Sequence, residues 1–226
     1  APMAEQTIRE MLKHYPRLRL INTYGATECT GSCTFMPPDK AVEKAASVGL
    51  FEEVVEWKII DDDGRELPRN QVGEICIKGV TVIPGYWNNP EATEKSFVDG
   101  FWKSGDVGYV DDEGFLYVMD RKKEMITRGG EKIYSIEVEN VLYSHPKVLE
   151  AAVVGVPDKF FGEEVMAAVV LKPGETMDEQ ELRMFVADHL ADYKVPKYIA
   201  FVDQLPRNPG GKVIKKALTK MVASDA

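Results

Sequence analysis

Four short segments hold side chains that could handle a phosphate. In Tyr24-Gly25-Ala26-Thr27-Glu28 a glycine turn stands beside a hydroxyl and a carboxylate. Oxygens of that kind can hold a phosphate oxygen and a magnesium ion, which prefers oxygen ligands. The plainer alternative is a strand-to-loop turn with exposed polar residues. In Trp102-Lys103-Ser104-Gly105-Asp106 a carboxylate follows a tight glycine turn. It could accept both hydroxyls of a ribose, as an acidic residue does in dinucleotide-binding folds, or it could be an ordinary turn. Asp120 to Gly130 sets charges ahead of paired glycines, which suits a hinge with a flexible loop behind it, or a solvated linker. Pro206-Arg207-Asn208-Pro209-Gly210-Gly211-Lys212 places a lysine on a mobile loop, where its charge could reach an anionic substrate or simply face water.

The elements that must position these segments change character along the chain. Residues 3–14 read as a helix with Ile8, Met11 and Leu12 on one face. Leu18-Arg19-Leu20-Ile21 reads as a strand opening into a loop from Asn22 to Thr34, the end of an α/β layer. From Ser47 to Asp120 short strands and turns follow. Val55, Trp57 and Ile59 alternate ahead of the turn Asp61-Asp62-Asp63-Gly64, glycines bound the strand Gly73–Gly79, and Asp111–Gly114 makes another tight turn. Even spacing of this kind predicts a small barrel or sandwich.

After Asp120 the pattern becomes α+β. Val138, Val141 and Leu142 stripe a helix that Pro146 closes. Ala151 to Val156 and Val165 to Leu171 are near-continuous apolar runs, as in covered strands. Asp178 with Glu181 resembles a capping box opening a helix that turns Leu182, Phe185, Val186 and Leu190 inward. The fold expected is therefore α/β (α+β), with one domain over 1–120 and a second over 121–226.

Composition narrows the function. A net charge of −9 disfavours nucleic acid as the main partner. No apolar run approaches the roughly 20 residues of a membrane-spanning helix, and the first residues do not read as a signal peptide. The expectation is a soluble, cytoplasmic protein. Cys29, Cys33 and Cys76 are too few and too odd in number for a disulfide framework. Cys29 and Cys33 could begin a metal site, but no further cysteine or histidine cluster completes one.

Taken in order, the four segments resemble the second half of the adenylate-forming (AMP-binding) superfamily of acyl-CoA synthetases, luciferases and peptide-synthetase adenylation domains. The stretch from Gly73-Glu74-Ile75 through Gly85-Tyr86-Trp87-Asn88 agrees, and the resemblance covers essentially the whole chain. It implies that residues 1–120 are the end of the large domain, with a β-barrel-like subdomain, and that 121–226 are the small mobile C-terminal domain. It implies that Tyr24 stacks on adenine, with Asn22 nearby, and that Gly25 and Thr27 approach the α-phosphate. Glu28 would ligate magnesium and act with Thr27 in catalysis. Asp106 would hold the ribose hydroxyls, Val118 would line that pocket, and Arg121 would add a ribose contact. Lys123 takes the hinge position. Gly129 and Gly130 resemble the loop lining the pantetheine tunnel, and Lys212 resembles the catalytic lysine of adenylation.

The function implied is an ATP-dependent acyl-CoA ligase (acid–thiol ligase). It would join a carboxylic acid, read here as a fatty acid, to AMP and then to the thiol of coenzyme A, using ATP/AMP and Mg2+. Two alternatives stay open: loading of a carrier-protein thiol, and a non-catalytic binding module. Thr127 departs from the pattern, since some relatives carry a lysine there. The Ser/Thr/Gly-rich phosphate loop ending in Pro-Lys-Gly and most of the acyl pocket are not among these residues. The chain is thus expected to need the N-terminal part of its own domain as partner and to make no acyl-CoA alone; homo-oligomerisation is left open.

Overall fold

A computed structural model of the chain describes residues 5–222. It divides into two compact units, one ending at Lys122 and the other beginning at Lys123. Each is built around its own core.

The first unit opens with helix α1 (Glu5–His14), which buries Ile8 and half-buries Met11 and Leu12, the stripe that the spacing predicts. Met3 and Ala4, read as part of that helix, lie outside the described residues. The strand expected at Leu18–Ile21 does not form. A strand needs a neighbour to take up its backbone hydrogen bonds, and among the described residues none pairs with this stretch, which leaves Leu18 40% and Ile21 52% exposed. The ladder begins later instead. Strands β1 (Thr23–Ala26), β2 (Gly31–Phe35) and β3 (Leu50–Phe51) form a three-stranded antiparallel sheet, with a 3-10 turn at Thr27–Cys29. The stretch read as a loop from Asn22 to Thr34 is therefore a hairpin. Thr34 shows why its polar letters misled: its buried hydroxyl accepts from Tyr24 N (3.0 Å) and donates to Val48 O (2.6 Å), so the group is satisfied inside.

The second sheet of this unit contains β4 (Val55–Ile60), β5 (Gly73–Gly79), β6 (Phe97–Val98), β7 (Phe101–Val110) and β8 (Leu116–Arg121). The short helix α2 (Pro90–Ser96) precedes β6. The order is β4-β5-β7-β6, with β8 paired to β7. Bulges between Glu74 and Cys76 and between Val107 and Gly108 bend it. A bridge from Leu50 to Phe115 joins the two sheets. Cys29, Cys33, Ile59, Ile75, Trp102 and Leu116 then fill one core between them, which gives the curled, barrel-like β-rich piece.

The second unit contains β9 (Ile126–Arg128), β10 (Glu131–Ile133), α3 (Ser135–Ser144), β11 (Val148–Asp158), β12 (Gly162–Leu171), α4 (Glu179–Ala187), β13 (Tyr198–Phe201) and α5 (Lys215–Val222). Its sheet runs β10-β9-β12-β11, with β13 parallel to β12. The apolar runs are explained by two cores, one on each face. Ala151, Val153, Val165, Ala167 and Val169 join Val138, Leu142, Leu182 and Val186 from α3 and α4. Ala152, Val154, Met166, Ala168 and Val170 join Leu218 from α5. Alternate residues thus point oppositely and both kinds are covered. Asp178 caps α4 by accepting from Glu181 N at 2.7 Å, but the Glu181 carboxylate takes Lys147 Nζ at 2.7 Å. Only half of the capping box is closed through side chains.

Leu182 is wholly buried in the second unit, and the chain's three tryptophans, Trp57, Trp87 and Trp102, all lie in the first. Leu182→Ala should cost the second unit about 2–5 kcal/mol. In urea, the circular-dichroism transition of that unit should move to lower concentration while the tryptophan fluorescence midpoint stays in place. Equal movement of both would mean that the units unfold as one.

Candidate active site

Strands β1, β7 and β8 bring three of the predicted residues, Tyr24, Asp106 and Arg121, into direct contact. The register of β7 and β8 sets Asp106 opposite Arg121. Asp106 is only 6% exposed, and a buried carboxylate is costly unless paired. Both of its oxygens are taken: Tyr24 Oη donates to Oδ2 at 2.6 Å, and Arg121 Nε approaches Oδ1 at 2.7 Å. Burial, with the Asp106 carboxylate beside it, pushes the Tyr24 hydroxyl far above the usual tyrosine range, so it remains a protonated donor.

Glu28 sits on the 3-10 turn between β1 and β2. Its Oε1 accepts from Tyr86 Oη at 2.9 Å, and its backbone carbonyl accepts from Ile83 N at 2.8 Å, so the turn is tied to the segment before α2. A cavity of about 360 Å³ is lined by Glu28, Glu74, Tyr86, Gly105 and Arg121 among others. An adjoining, more open hollow of about 440 Å³ runs along Thr23, Gly25, Thr27 and Gly31. Gly25 has a steric reason of its own: a Cβ there would stand 2.0 Å from the Gly31 carbonyl oxygen, so only glycine lets the hairpin close. Hard oxygens from Thr27 and Glu28 suit magnesium chemically. A single carboxylate matches an ion held mainly by phosphates and water, and among the described residues no cluster of three metal-binding side chains occurs.

Other predicted residues have visible structural work. Asn22 donates from Nδ2 to Ser47 O at 2.9 Å, and its Oδ1 accepts from Thr23 N at 3.1 Å. Val118 half-buries against the first unit's core, opposite Gly108. Cys29, Cys33 and Cys76 are buried free thiols, and Cys33 Sγ donates to Tyr24 O at 3.3 Å.

Lys123, Gly129, Gly130 and Lys212 belong to the second unit. Lys123 is exposed in the turn after β8. The flexible loop expected at the paired glycines is a two-residue hairpin turn between β9 and β10. Gly129 (φ +59°) and Gly130 (φ +93°) both adopt the left-handed conformation that such turns require. The mobile loop expected at Lys212 is likewise a braced turn. Asn208 N donates to Lys212 O (2.9 Å), Lys212 N to Asn208 Oδ1 (3.0 Å), and Arg207 Nη1 to Gly211 O (2.7 Å). Arg207 Nη2 also reaches Glu150 on β11 at 2.5 Å. Lys212 itself stays exposed. Sequence reasoning gave no role to Tyr86, Glu74 or Lys122. Their partners lie 58 and 48 residues away in the chain, beyond what local spacing can reveal.

Two family models match the chain: the AMP-binding enzyme model over residues 1–87, and the AMP-binding enzyme C-terminal domain model over 137–212. The chain belongs to the AMP-binding enzymes. Among curated relatives, a 2-succinylbenzoate–CoA ligase of Bacillus licheniformis is 45% identical over 204 residues, covering 89% of the chain and 42% of the relative. A fatty acid–[acyl-carrier-protein] ligase of Streptomyces coeruleorubidus is 38% identical over 221 residues, covering 96% and 42%. A solved O-succinylbenzoate coenzyme A synthetase from Bacillus subtilis, in complex with ATP and magnesium ion, superposes with a TM-score of 0.86 at 38% identity, covering 96% of the chain and 44% of that structure. The chain thus spans under half the length of these relatives. Among the described residues, no helix is long and apolar enough to cross a membrane.

Tyr24→Phe removes a hydrogen bond to a buried carboxylate, and such bonds contribute about 1.5–3 kcal/mol. The tryptophan fluorescence midpoint of the first unit should fall accordingly, with the circular-dichroism transition of the second unit unmoved. A midpoint within error of the parent would show that water replaces the tyrosine hydroxyl freely.

Proposed function

We propose that this chain is the nucleotide-handling latter part of an ATP-dependent acid–thiol ligase of the adenylate-forming kind. The observation that carries this reading is the buried Asp106, held by Tyr24 and by Arg121, which lines the cavity together with Glu28. A carboxylate has about four lone-pair sites, so Asp106 can keep both partners and still accept from ribose hydroxyls. Tyr24 offers a ring for adenine, with Asn22 close by in sequence. Val118 lines the sugar pocket, and Gly25 and Thr27 face the phosphates. Glu28 is the residue that would hold magnesium, which offsets phosphate charge when bound.

In the reaction proposed, a substrate carboxylate oxygen forms a bond to the α-phosphorus and the bond to the bridging oxygen breaks, releasing pyrophosphate. Two anions meet in that step, and the Lys212 ammonium offsets the developing charge. The thiol of coenzyme A then attacks the acyl carbon as a thiolate, and AMP leaves. Lys123 would be the pivot between the two steps, with Gly129 and Gly130 guiding the pantetheine arm. The names of the relatives span aromatic and fatty acids, so the fatty acid of the sequence reading is one candidate among carboxylic acids. The same names include a carrier-protein ligase, which makes a carrier thiol the second candidate acceptor. A cytoplasmic setting is part of the same proposal.

In the whole enzyme, Lys212→Ala should slow acid-dependent ATP–pyrophosphate exchange about 10²–10³-fold, as loss of one transition-state charge contact does. Thioester formation from supplied acyl adenylate should be spared. Equal slowing of both half-reactions would overturn the role given to Lys212. Running the panel with free coenzyme A and with a pantetheinylated carrier protein separates the two acceptors.

A further inference from the structure

The first unit contains a buried acid that the proposed chemistry does not use. Glu74 on β5 is 6% exposed, and its Oε2 is met by Lys122 Nζ at 3.0 Å. The same ammonium reaches Asp62 Oδ1 at 3.1 Å, in the turn after β4. The Lys122 backbone N–H donates to Gly105 O at 2.8 Å, and Gly105 is the glycine that sets up Asp106. One residue therefore gathers three separate pieces: the turn after β4, strand β5, and the bulge at Gly105, where the tight turn expected from the sequence is instead an irregularity within the continuous strand β7. Lys122 is also the last residue of the unit, since the second begins at Lys123.

This position matters because Glu74 cannot be left alone. A buried carboxylate without a cation is strongly disfavoured, so the pair resists separation. If Lys122 is held, the backbone on its N-terminal side is held with it, through Gly105. The next residue, Lys123, is exposed in a turn. An isolated surface ion pair would have little influence, but here the acid is buried and the lysine's main chain is bonded as well.

We propose that Glu74 and Lys122 are positioning residues that form an anchor, ending the ordered part of the first unit at Lys122 and fixing the Gly105–Asp106 bulge of β7 from behind. Backbone freedom between the units then begins at Lys123 and is not shared by Arg121 and Lys122. The inference deepens the nucleotide reading of the Asp106 site, although its structural half stands without that reading.

Amide hydrogen exchange on the 226-residue chain tests it, resolved to single residues around 119–125. In Glu74→Gln and in Lys122→Met, the Lys122 amide should exchange about tenfold faster, as loss of a charged hydrogen bond implies. Lys122→Arg should restore protection, while the amides of β4 and β5 keep their parental rates. Unchanged exchange at Lys122 would overturn the anchor, and so would acceleration spread evenly over β4, β5 and β7, which would mean general loosening. A second arm, run on the whole enzyme so that the phosphate loop is present, adds ATP with magnesium. Added protection at Arg121 and Lys122 in the parent, lost in Glu74→Gln, would support the link from the nucleotide site to the unit's end. Protection at Arg121 but not at Lys122 would overturn that link. Protection at neither would count against the nucleotide reading, with the anchor still decided by the first arm.

Discussion

The first unit depends on one requirement: a carboxylate placed inside a protein has to be matched. Asp106 is almost out of water, and two elements far apart in sequence supply its partners, β1 through Tyr24 and β8 through Arg121. Because the partners come from different sheets, satisfying the charge also fixes the sheets against each other. Hydrophobic filling by Trp102, Ile75 and Leu116 is non-directional and would tolerate small slides. The directional bonds to Asp106 would not. The same reasoning extends to Glu74, which lines the cavity itself, as does Arg121, the partner of Asp106.

The second unit solves a different problem. Among the described residues it has no comparable buried acid at the centre of its sheet, and it relies on covering both faces with apolar residues. Among the described residues, its most deeply buried acid, Glu164, lies near the end of β12, where Arg128 Nε reaches it at 2.7 Å and Lys197 stands at 3.7 Å. The Arg128 guanidinium also lies over the Phe161 ring, 4.1 Å from its centre. That network closes around the hairpin turn at Gly129 and Gly130, since Gly129 N donates to Phe161 O. The conformation of the paired glycines is thereby fixed by neighbours as well as by their lack of side chains.

Much of this was legible in the letters. Gly73 and Gly79 bound β5 as glycines at strand ends suggest, and the spacing of Val138 and Leu142 and of Leu182 and Val186 gave the buried faces of α3 and α4. What failed did so for identifiable reasons. Leu18–Ile21 has strand composition but no partner strand, and pairing is a property of two segments. Asn22–Thr34 looked like a loop because threonine and glycine dominate it. Yet Thr34 hides its hydroxyl by bonding it to the main chain, and Gly25 is required by the closeness of the hairpin. Asp106, Arg121, Tyr24 and Glu28 could be singled out from motifs. Their mutual bonds, and the parts taken by Tyr86, Glu74 and Lys122, depend on separations of tens of residues that no local pattern encodes.

The alternation along β11 and β12 has a further consequence. Ala151 and Val153 serve one core while Ala152 and Val154 serve the other, so the two cores are threaded by a single stretch of chain. Deleting one residue within β11 would not merely shorten the strand. It would exchange the occupants of the two cores beyond the deletion, setting Val153 where Ala152 fits and Gly155 where Val154 fits. A strand buried on only one face can sometimes absorb such a slip as a bulge towards solvent. Here neither face offers that outlet, and the reading frame of the strand is locked from both sides.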